Sequence, residues 1–498
     1  MSGTESHQGH DHEESLDPCD FEGFRGEAHR LLDACLNHLQ AARDRPWRPV
    51  DAAARAALAP ALPEIGIGEA QLARELAESV LPLGTGNTHP RFFGWVHGTG
   101  LAAGLLADMT AAAMNSNCGG RDHGAIYVER AVIDWARRIF GFPDSASGLL
   151  TSGTSQSTVI ALGAARIHAV GRAMRETGLR AAPDLLAYCA ESAHSANQKA
   201  LEIMGHGSQA LRRIPAKGPA GGMDVSRLRG QITADRAVGK RPFCVIATAG
   251  SVDTGAFDDL EALADLCAAE GIWLHVDGAF GCWARIADSP WRDLARGIDR
   301  ADSIAFDFHK WMYVQYDCGA VLVRHGDAHR AAFATRPAYL EGQEEGLGGG
   351  APWYCDYGIE LSRSFRALKV WSCMRAYGIE RLARKISDNC RQAARMAALV
   401  EAAEGLELAS PVVLNVCCFR FAPKDIDGQT QDMLNRRLAQ CLQLSSKVVF
   451  STTSLNGRTV LRAAIVNHRT RDEDIDFSIA AVREACAELA IREGISAN

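Results

Sequence analysis

The chain has no apolar run near the roughly 20 residues that a membrane-spanning helix needs. Its opening, "MSGTESHQGHDHEESLDPCD", is polar and acidic and lacks the hydrophobic core of a secretory signal. It has no basic stripe. Its 53 Lys and Arg face 60 Asp and Glu for a net charge of −7, which argues against a nucleic-acid partner. The 15 cysteines include no C-x-x-C pair. In a large chain without a signal they read as reduced, mostly buried thiols of a cytoplasmic protein. There is no internal repeat, no G-x-G-x-x-G with an acidic partner and no phosphate-loop lysine, so the usual dinucleotide and ATP sites are excluded. His7, His10 and His12, with His29 further on, are metal-ligating residue types. A polar terminal segment reads as a solvated tail, however, and no metal site is assigned.

What is present is 498 residues, 47% hydrophobic and 23% charged, enough for one large domain and one or two smaller ones. Residues 1–20 read as a disordered tail and 21–85 as an N-terminal helical segment. Residues 86–375 read as a large domain and 376–498 as a small C-terminal α+β domain. From about residue 148 the pattern turns to strand, turn and helix. It appears in "GLLTSGTSQSTVIALGAARIHAV" and "DLLAYCAESAHSANQKALEIMG", and again in "FCVIATAGSVDTGAFDDLEALADLCAAEG". "IWLHVDGAFG", "SIAFDF" and "CGAVLVR" add further buried strands. Such alternation predicts an α/β fold with a mostly parallel sheet covered on both faces. Right-handed crossovers then bring the ligand to one edge of that sheet. The Gly-rich stretch 340–358 reads as a long mobile loop.

Four features at successive strand ends carry chemistry. Lys310 sits between His309 and Trp311, where a solvated charge is out of place, and a lysine drawn out of water can form a Schiff base with a carbonyl cofactor. Its bland alternative is a snorkelling or ion-paired side chain. Asp277 ends the apolar strand "IWLHVD" and needs a partner there. A carboxylate facing a pyridine nitrogen suits pyridoxal phosphate, whose protonated ring accepts electrons, and Gly278 and Ala279 leave room for a flat ring. Thr154 and Ser155, in "TSGTSQST", open a helix whose amides and hydroxyls suit a phosphate. His194, in "AHSANQKA", holds the equivalent place after another strand.

These residues belong to a longer series: "HPRFFGW", "LLADMTAAAMNSN", "TSGTSQST", "AHSANQKA", "VIATAGSVDTGAFDDL", "IWLHVDGAF", "ADSIAFDFHKW", "DCGAVLVR", "PAYL" and "SRSFRALKVW". In order and spacing the series resembles the group II pyridoxal-phosphate-dependent amino-acid decarboxylases, which act on aromatic amino acids, glutamate and related substrates. The resemblance runs from about residue 85 to 470. It implies the aspartate-aminotransferase-like architecture called fold-type I, and a homodimer with active sites at the interface, the N-terminal helices packing on the partner. It also implies pyridoxal 5′-phosphate held by Lys310, with Asp277 at the pyridine nitrogen and Ala279 against the ring. His194 would stack on the ring, Thr154, Ser155 and His309 would hold the phosphate, and Thr248 would lie near the ring. Tyr339, in "PAYL", matches the mobile-loop tyrosine that protonates the carbanion after CO2 leaves. One residue departs from the pattern: where aromatic decarboxylases usually carry Asn, three residues before the lysine, this chain has Asp307.

The resemblance places "HPRFFGWVHGTG" along the substrate side chain, so Phe93, Trp95 and His97 are expected to make the pocket aromatic and partly polar. Ser362 matches a position that separates phenolic from indolic substrates in plant relatives. The expected reaction is decarboxylation of an aromatic L-amino acid to its amine. The alternatives are decarboxylation of glutamate, aspartate or cysteine sulfinate, or transamination with Arg366 on the retained carboxylate. A non-catalytic scaffold is disfavoured by the intact set of Asp277, His194, Lys310 and Tyr339.

Overall fold

Prolines and glycines in "RPWRPV" and "APALPEIGIG" interrupt the N-terminal segment, so 21–85 is not one continuous helical stretch. The computed structural model describes residues 16–493 apart from 46, 219–220, 336–344 and 425. It divides the chain into two units, Met1–Gly86 and Asn87–Asn498. The first holds α1 (Phe21–Gln40), α2 (Ala52–Ala57) and α3 (Glu69–Glu75), followed by a π turn at Leu76–Val80. Asp20 and Asp51 cap α1 and α2 by accepting from the Gly23 and Ala54 amides. None of these three helices has a buried residue. Residues 1–15 of the expected tail lie outside the described residues.

The second unit begins with α4 (Ala102–Met114) and α5 (Gly124–Phe140). Its main sheet contains β1 (Ser147–Thr151), β2 (Leu185–Ala190), β3 (Leu211–Ile214), β4 (Arg241–Thr248), β5 (Trp273–Asp277), β6 (Ser303–Asp307) and β7 (Gly319–Val323). Their order is β1-β7-β6-β5-β4-β2-β3. Strands β6, β5, β4, β2 and β3 run parallel, while β7 is antiparallel to both its neighbours, β1 and β6. Both faces are covered, which is why the strands read as near-continuous apolar runs. Helix α6 (Thr154–Val170) leaves β1, and α7 (Ala196–Ile203) follows β2.

Register brings the chemical residues abreast. Thr248 pairs with Asp277, and Asp277 with Ala305. Gly319 pairs with Thr151 on one side and Asp307 on the other. A side chain at 319 has no room, since a Cβ there would lie 2.5 Å from the Gly153 Cα.

A second, antiparallel sheet follows: β8 (Leu406–Leu408), β9 (Val416–Phe421), β10 (Ser451–Leu455) and β11 (Arg458–Ala464), ordered β8-β9-β11-β10. The β10–β11 hairpin turns on Asn456-Gly457 at φ 51° and 75°, the left-handed pair that a tight hairpin requires. This sheet is not built from residues after 376 alone. The Phe93 amide donates to Val449 O at 2.8 Å, and the Ala464 amide donates to Phe93 O at 2.9 Å. Among the described residues no helix is long and apolar enough to cross a membrane, no metal-binding cluster occurs, and all fifteen cysteines are free.

Candidate active site

The strand ends open into a cavity of about 640 Å³. Of the residues singled out in the sequence, Lys310, Asp277, Thr154, Ser155, His194, Thr248, Ala279, His309, Trp95 and His97 all line it.

Five of them are positioned by contacts at the strand ends. Asp277 is buried at the end of β5, where Asn197 Nδ2 donates to its Oδ2 at 3.1 Å. Thr248, beside it, is fixed through its backbone, whose N–H donates to Asp258 Oδ2 at 2.7 Å. Burial pushes the Asp258 carboxyl up to about 6, against the pull of the Thr248 and Met223 amides and with a further push from Asp277. His194 Nδ1 accepts from the Ala196 amide at 3.1 Å. That bond assigns the proton of the neutral ring to Nε2. His309 Nδ1 likewise accepts from the Cys318 amide at 3.0 Å. Burial holds the His309 imidazole below its ordinary range, against an upward push from Asp307. Lys310 Nζ lies 2.7 Å from Asp307 Oδ2.

The wall away from the sheet is aromatic and partly polar. His97 stacks on both Trp95 and Phe92, with ring centroids 5.5 and 5.9 Å away, and those two rings lie 6.2 Å from each other. Desolvation, and then the charge of Lys310, lower the His97 imidazole from its usual value, so it is neutral at pH 7.

Two hydroxyls in this cavity, Thr154 Oγ1 and Thr248 Oγ1, are buried with no hydrogen-bond partner. Buried polar atoms are rarely left so. One stands at the N-terminus of α6, where a phosphate is favoured, and the other beside Asp277. A lysine lies between an anion-binding turn and a carboxylate, with small residues beneath. This arrangement fits a flat pyridinium ring that bears a phosphate and a carbonyl.

Residues 52–422 match the family model described as the pyridoxal-dependent decarboxylase conserved domain. The chain belongs to the pyridoxal-dependent decarboxylases. An aromatic-L-amino-acid decarboxylase of Bacillus atrophaeus is 31% identical over 94% of this chain and 97% of its own. A histidine decarboxylase of Drosophila melanogaster is 32% identical over 92% of this chain and 54% of its own. The structure of Oryza sativa TDC with PLP and tryptamine superposes with a TM-score of 0.87 at 26% identity, covering 95% of this chain and all of that one. The fold is therefore fold-type I, the cofactor is pyridoxal phosphate, and the reaction class is amino-acid decarboxylation.

Two residues expected in the substrate pocket of this decarboxylase lie elsewhere. Phe93 is wholly buried in the small-sheet core, 5.7 Å from Phe450, because its backbone is held between Val449 and Ala464. Ser362 is exposed and does not line the cavity. Its neighbour Arg363 is buried against Glu129, at 2.6 Å, while Ser362 sits in a bend at the surface of this chain. Arg366 is not at the cavity either and pairs with Glu360 and Asp317. Tyr339 lies outside the described residues.

Conversely, the cavity holds residues that the sequence reading passed over. Arg462 on β11 is 3% exposed and lines it. Its Nε donates to Val252 O at 2.6 Å and its Nη1 to Trp95 O at 3.2 Å, while Nη2 is buried without a partner. Asp253 also lines the cavity, accepting from Thr453 Oγ1 at 2.6 Å. An arginine inside an otherwise apolar strand, "TVLRAAIV", is the same kind of signal that drew attention to Lys310.

Proposed function

We propose that this decarboxylase converts an aromatic L-amino acid to its amine and CO2. The observation that carries this reading is the stacked Trp95–His97 wall together with the charges around it. Lys310 and Arg462 are the only Lys or Arg among the described lining residues, while Asp253, Asp277 and Asp307 supply three carboxylates. With Lys310 committed to the cofactor and Arg462 to the α-carboxylate, an acidic side chain would find no cation of its own. A planar side chain finds an indole to pack on and a neutral imidazole to hydrogen-bond.

Bound pyridoxal phosphate supplies an electron sink for the bond between Cα and the carboxylate. Thr154, Ser155 and His309 would hold its phosphate, Thr248 and Ala279 its ring, and Asp277 its nitrogen. The protein's part is placement. The free Nη2 of Arg462 takes one carboxylate oxygen of the substrate and so sets which bond of Cα faces the ring. His194 presents Nε2–H to the cavity and steadies the substrate. Lys310 would hold the cofactor through its amine. Tyr339 delivers the proton to Cα, an assignment that rests on the resemblance of "PAYL". We further infer a homodimer, supported by α1 and the residues after it, where Phe21, Phe24, Leu36, Leu62 and Ile65 are exposed. The fifteen free thiols support a cytoplasmic location.

The test is CO2 release from a panel of L-amino acids by the cofactor-loaded protein, with Lys310→Ala as the blank. Release from Tyr, Trp, Phe or hydroxylated forms is expected. Release from Glu, Asp or cysteine sulfinate alone would refute the pocket reading. Transamination would use the same arginine, so keto acid is measured in parallel, and keto acid without CO2 would refute the reaction.

A further inference from the structure

Asp307 has no task in the chemistry above, although it stands at its centre. It ends β6, three residues before Lys310, and is 1% exposed. Both its oxygens are engaged. Oδ1 accepts from the Thr154 amide at 2.7 Å, at the first turn of α6. Oδ2 lies 2.7 Å from Lys310 Nζ, with His309 Nε2 at 3.8 Å. The pocket around the carboxylate is tight: a Cβ on Gly319 would lie 2.7 Å from Oδ1, and one on Gly153 3.6 Å from it.

The Asp307 carboxylate itself gives no help in holding a phosphate. The carboxylate uses an amide at the N-terminus of α6 and sets a negative charge beside the place a phosphate would take. A buried carboxylate is also unfavourable unless a cation and hydrogen bonds compensate it. Here the compensating cation is Lys310. What the structure loses in phosphate binding it recovers as a hold on the lysine.

We propose that Asp307 is the positioning residue for Lys310. Whenever the lysine amine is not bonded to the cofactor, Asp307 keeps it docked at the strand ends, tied through the Thr154 amide to the helix that receives the phosphate. The proposal rests on the reading of Lys310 as the cofactor lysine. Capture itself needs no further reagent: the ammonium loses a proton to solvent, its nitrogen adds to the aldehyde carbon, and the carbonyl oxygen leaves as water. Asp307 acts before that step by fixing where the nitrogen waits.

Asp307→Asn separates the two effects, because Asn keeps the shape and an acceptor for the Thr154 amide but removes the charge. The full chain stripped of cofactor is given two probes. The first, 4′-deoxypyridoxine 5′-phosphate, has the ring and phosphate with a methyl group in place of the aldehyde, and its binding is read by tryptophan fluorescence. The second is pyridoxal phosphate, whose capture is stopped at timed intervals with borohydride and mapped to Lys310 by mass spectrometry. The variant is expected to bind the first probe at least as tightly as wild type. It is expected to capture the second at least about tenfold more slowly, the factor that corresponds to weakening one charge-assisted bond. Capture at the wild-type rate would overturn the proposal. So would a parallel loss of both, which is what a merely structural residue would give. Failure of wild type to capture pyridoxal phosphate at Lys310 would instead sink the underlying reading. A second measurement needs no cofactor. Lys310→Met should lower the melting temperature by leaving Asp307 unpaired, and Asp307→Asn added to it should restore it. An unchanged melting temperature in Lys310→Met would also overturn the proposal.

Discussion

Arg462→Lys tests the carboxylate clamp with an internal control. Arginine reaches the cavity with a fork: Nε and Nη1 are spent on the Val252 and Trp95 carbonyls, and Nη2 is left for the substrate. Lysine keeps the charge but has no fork, so it cannot hold the two carbonyls and the substrate together. A charge-assisted hydrogen bond contributes about 1.5–3 kcal/mol, so kcat/KM for the amino acid should fall about 10- to 150-fold. The amine product has no carboxylate. Its inhibition constant should therefore stay within about twofold of wild type, since less than 0.5 kcal/mol is then at stake. Cofactor affinity, read from the visible absorbance on titration, should not change. If substrate and amine weaken together, Arg462 only props the walls at Trp95 and Val252, and the clamp is refuted. If neither weakens, the carboxylate is held elsewhere.

Three further outcomes are expected. Phe93→Ala should destabilise the fold by about 3–5 kcal/mol in chemical denaturation while leaving KM for the substrate unchanged, because the ring fills the small-sheet core. Gly319→Ala should lower cofactor affinity about tenfold or more in the same absorbance titration, because its methyl would displace the Gly153 turn or Asp307; an overpacking cost of about 1–3 kcal/mol is typical. Acid should destabilise the chain in a defined window. His275 and His329 are wholly buried, and burial pulls them down to about 3 and about 4. His206 and His468 are likewise lowered, to about 4 and about 3, while Asp258, raised to about 6, takes up a proton in the folded chain. Between about pH 4 and 6 the unfolded chain therefore binds about three more protons than the folded one, and stability falls as pH drops, by about 4 kcal/mol per pH unit near pH 5. Urea denaturation at pH 5.0, 5.5 and 7.5 reads this slope, and a flat profile would refute it.

Strands β5 and β6 were legible because each is a nearly unbroken apolar run with an out-of-place polar residue at or just beyond its end. Asp277 and Lys310 announced themselves in this way, and Thr154 and Ser155 did so by opening a helix after a short strand. The N-terminal segment, read as helical, is three separate helices parted at the prolines and glycines of "RPWRPV" and "APALPEIGIG". Phe93 was misplaced because sequence proximity to Trp95 and His97 says nothing of facing. Hydrogen bonds to Val449 and Ala464, more than 350 residues away, decide which way residue 93 points. Asn197, Asp258 and Arg462 were missed for a related reason. Each is significant only through a partner on another strand or helix, which the local pattern does not reveal.

The antiparallel strand β7 has a consequence for how the molecule comes into being on the ribosome. Strand β1 has no neighbour in the sheet other than β7, which is made some 170 residues later. The turn proposed to receive the phosphate follows β1, so the strand that leads into it lacks its sheet partner until all five parallel strands have been made. The far wall of the cavity, with Arg462, emerges only near the end of translation. A nascent chain can therefore lay down most of its parallel strands with no place for the vitamin-derived group to dock. The cofactor joins a fold that is nearly complete, and it rewards the finished chain rather than guiding an early intermediate.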